Sequence, residues 1–211
     1  MTLRPWARRI AVGATSAAAL VALAVPAEAA APATTSTSAT AAVTAAADVD
    51  YATWQRDCQA VMDQALPYLK QRIADARPGE KQALVFDIDN TTLETDFGFS
   101  FPQPANRPAL RVAQYAQDHG VALFFVTARP GIIAGVTDFN LEHVGYDVSG
   151  LYVRGFLDLF KNVADYKTAQ RVDIEKRGYT IIANIGNSAT DLSGGHAEKT
   201  YKLPDYGGQL S

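Results

Sequence analysis

Two aspartates stand one residue apart at the end of an apolar run, Asp87 and Asp89 in VFDIDNTTLE (85–94). Like charges this close repel, and burying them costs free energy unless a cation or a proton compensates. Two other apolar runs end in polar groups of matching chemistry. VALFFV (121–126) is followed by Thr127, Ala128 and Arg129, and YTIIANI (179–185) by Gly186, Asn187, Ser188, Ala189, Thr190 and Asp191. Lys167 lies in the helical stretch that leads into the second of these. Carboxylates, a hydroxyl and an ammonium at strand ends suit phosphoryl transfer. A carboxylate can attack phosphorus and form an acyl-phosphate, which divides hydrolysis into two easier steps. Phosphate is itself anionic, so the attack calls for a hard cation such as Mg²⁺, held by oxygen ligands. A carboxylate two residues on, ~6.6 Å away on the same side of an extended strand, can protonate the leaving oxygen and then deprotonate water. The hydroxyl and the ammonium can cradle the phosphoryl oxygens.

The elements that must position these groups follow from periodicity. Tyr51, Trp54, Cys58, Val61, Met62, Leu66, Leu69 and Ile73 recur at close to 3.6 residues, which predicts an amphipathic helix over 50–76 with Pro67 as a site of bending. Cys58 lies on its stripe and reads as a small buried hydrophobe. The runs 83–88, 121–126 and 179–185 are apolar on both faces. They alternate with helices over 108–120, 131–144 and 165–178, closed by Gly120, Gly145 and Gly178. Shorter strands are predicted at 151–153 and 199–203. This alternation implies a parallel sheet covered on both sides, a three-layer doubly wound α/β domain that binds its ligand at the carboxyl ends of the strands.

In order, spacing and strand context the motifs resemble the haloacid dehalogenase (HAD) superfamily of phosphotransferases. Its DxDxT reads as Asp87-Ile88-Asp89-Asn90-Thr91, its strand-terminal Thr or Ser as Thr127, its Lys as Lys167, and its GDxxxD as Gly186 to Asp191. The N-terminal helix bearing Trp54 and Cys58, Thr127-Ala128-Arg129, and Tyr166-Lys167 followed by Arg171 are similar to subfamily IIIB, the acid phosphatases. The resemblance implies a Rossmann-like HAD fold with Asp87 as nucleophile and metal ligand. Asp89 would be the general acid/base, its backbone carbonyl on the metal. Thr127, Lys167 and Arg129 would bind phosphate, and Asn187 and Asp191 would complete an Mg²⁺ site. Asn187 departs from the usual Asp: its amide oxygen can ligate a cation but brings no charge, so weaker metal binding is expected. Only 94–108 separates the first motif from the next helix, so the cap is minimal or absent and the site open to small phosphate esters or phosphorylated macromolecules. Phe97, Phe99 and Phe101 there read first as core packing, with an apolar rim as the other reading.

The chain has 211 residues, 48% hydrophobic and 19% charged, with a net charge of −3 that gives no reason to expect nucleic acid as partner. One cysteine excludes an intramolecular disulfide. Arg4, Arg8 and Arg9, an apolar alanine-rich stretch and Ala27-Glu28-Ala29 read as a cleaved export signal over 1–29, leaving no stable membrane span. Residues 30–47 are Ala/Thr/Ser-rich and read as a flexible linker. The folded domain is expected over 48–211, in a secreted or cell-envelope protein. His119 and His143 read as helix-end residues, and His196 as outside the site. A storage-type or other non-catalytic phosphate-binding protein on the same fold is the alternative, distinguished by Mg²⁺-dependent turnover.

Overall fold

The computed structural model describes residues 49–210; the expected signal and linker lie outside them. Helix α1 (Tyr51–Ala74) starts at Asp50, whose side chain accepts the Thr53 N–H at 2.9 Å. Trp54, Cys58, Met62, Ala65 and Leu69 fall on one face of α1, and all are buried. Then follow β1 (Lys81–Phe86), α2 (Arg107–Asp118), β2 (Ala122–Pro130), α3 (Ala134–His143) and β3 (Gly150–Arg154). The chain closes with α4 (Val163–Lys176), β4 (Tyr179–Gly186), the single-turn α5 (Ala189–Leu192) and β5 (Thr200–Lys202).

The five strands form one parallel sheet in the order β3-β2-β1-β4-β5. Period-2 alternation divides its side chains between two layers. Leu84, Phe86, Leu123 and Phe125 pack with α1 and α2 residues such as Trp54 and Val112, while Ala83, Val85, Phe124 and Val126 pack with Tyr166 and Ile174 of α4. The strand order reverses direction between β1 and β4, so a crevice opens at their carboxyl ends. Between β1 and α2 lie only isolated bridges, Asp89 to Leu93 and Leu93 to Ala105, and no inserted helix or strand. The sheet is thus the minimally capped, doubly wound fold that the sequence predicts.

Four boundaries differ most from expectation, the first being β2, which runs on through Thr127, Ala128 and Arg129 to Pro130 rather than ending at Val126. Strand β1 ends at Phe86, one residue before Asp87, because the chain must turn: Asn90 has φ +52°, and the N–H groups of Thr91, Thr92 and Leu93 all donate to Ile88 O. Helix α4 begins at Val163, capped by Asn162. Residues 131–133 form a separate 3₁₀ turn before α3. Phe97 packs as core, stacked on Trp54 at 4.4 Å, whereas Phe99 and Phe101 are exposed, so the rim reading holds for those two.

Candidate active site

Asp87 is the first residue past β1, and its N–H donates to Ile185 O of β4 at 2.9 Å. Its side chain is buried, as are those of Lys167 and Asp191. Lys167, on the inner face of α4, places Nζ 2.6 Å from Asp87 Oδ1 and 2.5 Å from Asp191 Oδ1. One buried ammonium is therefore shared by two buried carboxylates. Desolvation dominates Asp87: burial, with Asp191 and Asp89 nearby, pushes its carboxyl up to about 6 against the pull of Lys167. Burial alone would lower the Lys167 ammonium, but the two carboxylates outweigh it and hold it above its ordinary value. The two directions agree once the charges are counted, since a single cation cannot satisfy both anions.

Asp191 is held from every side. Its Oδ2 accepts the Ser188 N–H at 2.7 Å, and its backbone carbonyl accepts from Asn184 Nδ2 and Arg171 Nη1. Arg171, fully buried one turn beyond Lys167, also donates to the carbonyls of Gly195 and Ser193. Gly186 makes room for this arrangement: a Cβ there would stand 2.6 Å from Asp191 Oδ2 and overlap its Cβ. Asn187 donates Nδ2 to Leu210 O and turns Oδ1 toward the Thr91 hydroxyl at 3.4 Å.

Asp89 is half-exposed and paired with Arg129, whose Nη2 stands 2.8 Å from Oδ1 and whose Nε stands 3.1 Å from each oxygen. Arg129 also donates to Gln103 and Thr137. Thr127 is buried, its hydroxyl accepting the Arg129 N–H at 3.2 Å and keeping its own proton to donate. Asp87, Asp89, Lys167, Asn187 and Asp191 line one cavity of about 230 Å³ with Ala128 and Ser188. Arg129 and Asp89 border a second of about 420 Å³. Of the sequence-predicted residues, five meet in the first cavity, Arg129 stands in the second, and Thr127, buried just before Ala128 in β2, lines neither. His196 is elsewhere, with Nδ1 2.7 Å from Glu175.

No group of three or more His, Cys, Asp or Glu side chains among the described residues forms a ready-made metal cage. The donors that do meet are hard oxygens: the Asp87 carboxylate, whose Oδ2 has no protein partner among the described residues, and the Asn187 amide oxygen. Together with backbone carbonyls and water they fit a small hard cation and would suit a soft one poorly. Sequence reasoning singled out Arg171 without giving it a role, and missed the other clamps behind these groups, Asn184 and the Leu210 carbonyl. Arg171 stands four residues after Lys167, and that spacing was the available signal.

The family model for HAD superfamily subfamily IIIB (acid phosphatase) matches residues 6–103 and 100–209. Among characterised proteins the chain is similar to the stem 28 kDa glycoprotein of Glycine max, 29% identical over 72% of this chain and 68% of that one. It is 25% identical to acid phosphatase 1 of Solanum lycopersicum over 72% and 68% of the two chains. Among solved structures it resembles the class C acid phosphatase from Bacillus anthracis, with TM-score 0.55, 17% identity and 69% and 67% of the two chains covered.

Proposed function

The chain belongs to subfamily IIIB of the HAD superfamily, the acid phosphatases, and is a phosphomonoesterase; on that premise we propose an exported, Mg²⁺-dependent enzyme acting through an aspartyl-phosphate on Asp87. One observation carries the mechanism: Asp87 is buried, lines the cavity, and has one oxygen held by Lys167 and the other without a partner among the described residues. In the first step Asp87 Oδ2 attacks phosphorus, the bond to the ester oxygen breaks, and Asp89 gives that oxygen a proton. In the second, Asp89 takes a proton from water, the water oxygen attacks phosphorus, and the acyl-phosphate bond breaks to release phosphate. Asp89 shares its oxygens with Arg129, so proton transfer requires the carboxyl to loosen that pair, which entry of an anionic phosphate beside the guanidinium favours. Lys167 and Thr127 steady the phosphoryl oxygens. Mg²⁺, held by Asp87, the Asp89 carbonyl, Asn187 and Asp191 in the proposed set, would supply the positive charge that lets one anion approach another. Asp191 enters this set with both oxygens already engaged, so its contribution includes holding Lys167 in place.

Turnover of an aryl phosphate with Mg²⁺ and with EDTA across pH 4 to 8 tests the reading. The wild type is expected to lose activity in EDTA and regain it with Mg²⁺. Asp87→Asn should lose roughly 10³-fold or more in kcat while keeping its circular dichroism. Wild-type-like turnover in that variant would sink the mechanism. Absence of turnover in the wild type would favour a non-catalytic phosphate-binding protein. Export rests on the N-terminal sequence; no helix among the described residues is long and apolar enough to cross a membrane.

A further inference from the structure

Exposed large apolar side chains are not scattered over this molecule. Among the described residues all but Tyr51 stand on the three segments that follow β1, β2 and β3, the second of which includes α3, at the end of the sheet where Asp87 lies. Phe99 and Phe101 precede α2, Ile132 and Phe139 follow β2, and Phe156 and Phe160 follow β3, each more than half exposed. The second and third loops abut: a Cβ on Gly131 would touch Arg154 O at 3.5 Å and Gly155 Cα at 4.0 Å. The first and second also meet, with the Phe101 and Phe139 rings stacked at 6.1 Å. A run of exposed apolar side chains this local marks a binding surface.

The 420 Å³ cavity lies between this surface and the phosphate cavity: Phe101, Ile133 and Val136 are its apolar walls on one side, and Asp89 borders both cavities. Most of its polar walls are engaged with one another: Arg129 with Asp89, Gln103 and Thr137, Thr95 with Asp89, and the Asn140 amide with both backbone groups of Gln103. That leaves chiefly the Ser100 hydroxyl and the Gln103 amide nitrogen to meet a ligand. Few donors or acceptors remain to read a polar leaving group, and one face of the Phe101 ring is already covered by Phe139. A group esterified to a phosphate at Asp87 and protonated by Asp89 would lie on the Asp89 side, next to this wall.

We propose that this cavity is a leaving-group subsite selecting phosphate monoesters that carry a flexible aliphatic chain, whose far end continues over the exposed apolar loops. The proposal rests on the phosphatase reading above. The test is kcat/KM for straight-chain alkyl phosphates from ethyl to dodecyl, each below its micelle concentration, with Mg²⁺. Half-burial of each methylene predicts a rise of about twofold per methylene, so roughly tenfold or more across four, before a plateau where the groove ends. Val136→Asp and Phe101→Ser change exposed side chains, and each should lower the dodecyl-to-ethyl ratio about tenfold, a ratio that general loss of activity does not move. Brisk turnover of ethyl phosphate with a flat chain-length profile overturns the subsite, as does a preference for a nucleoside monophosphate over octyl phosphate. A sedimentation dimer that Val136→Asp dissociates also overturns it, assigning the face to a second copy. If no ester turns over, the phosphatase reading falls. Calorimetry of octylphosphonate against ethylphosphonate then decides the subsite separately, equal affinities refuting it.

Discussion

Asp87 carries an electrostatic conflict that the fold leaves open, since Lys167 is shared with Asp191. A carboxyl raised from an ordinary value of 3.8 to about 6 holds its proton more tightly folded than unfolded. Its contribution favours folding below the unfolded value and is lost as pH rises through about 6. Asp87→Asn should therefore melt a few degrees higher than wild type at pH 7 in EDTA, on the order of 1 kcal/mol, and no higher at pH 4. A lower melting temperature at pH 7 would refute this account of the buried charges. Asn187 poses the complementary test, because its amide donates to Leu210 O and a carboxylate cannot. Asn187→Asp should cost about 1–3 kcal/mol without metal and gain more from added Mg²⁺ than wild type does, read by thermal melts with and without the ion. At this scale the sequence was most legible where side chains end strands, as Asp87 does. The partners of Asn187 and Asp191 were harder to read, since Leu210 acts through a backbone carbonyl, Asn184 lies within an apolar strand, and the spacing of Arg171 from Lys167 marks it without saying that it holds the Asp191 carbonyl.

At the scale of elements, helix ends were readable for a physical reason. Gly120, Gly145 and Gly178 have φ of +76°, +105° and +86°, the left-handed region that costs other residues free energy, so a glycine after an amphipathic run marks a stop. The end of β1 was not readable, because Asp87-Ile88-Asp89 keeps an apolar residue in register while the backbone already leaves the sheet to turn at Asn90. Gly186 has a different duty from the helix-ending glycines. It ends β4 against Asp191, and space rather than φ demands glycine there. Gly186→Ala should push the Asp191 turn away from Lys167, costing about 1–3 kcal/mol and at least roughly tenfold in kcat/KM. Denaturant melts and steady-state kinetics measure both, and an unperturbed variant would show that the turn relaxes without consequence.

For the whole molecule, the question is how much chain the site needs. Helix α1 contributes Trp54, Cys58, Met62 and Leu69 to the larger core, each almost wholly buried. At about 1.5–3 kcal/mol per large apolar side chain this is comparable to the ~5–15 kcal/mol net stability of a typical protein. It also reaches the loop after β1, since Tyr51 and Gln55 donate to Glu94 Oε1 at 3.0 and 2.9 Å, only a few residues beyond Asp89. The helix is thus part of the phosphatase body, which the 3.6-residue period of its apolar positions already indicated. Residues 1–47 carry no such pattern, and their reading as signal and linker predicts a sharp asymmetry between two truncations. A chain of residues 48–211 should melt within a degree or two of the full-length chain and match its kcat/KM on an aryl phosphate. A chain of residues 78–211 should lack the near-ultraviolet circular dichroism of a packed core and turn over no substrate. If the shorter truncation is impaired, residues 1–47 do more than direct export and space the domain; if the longer one folds, α1 is an appendage and its buried side chains stabilise the sheet far less than their burial implies.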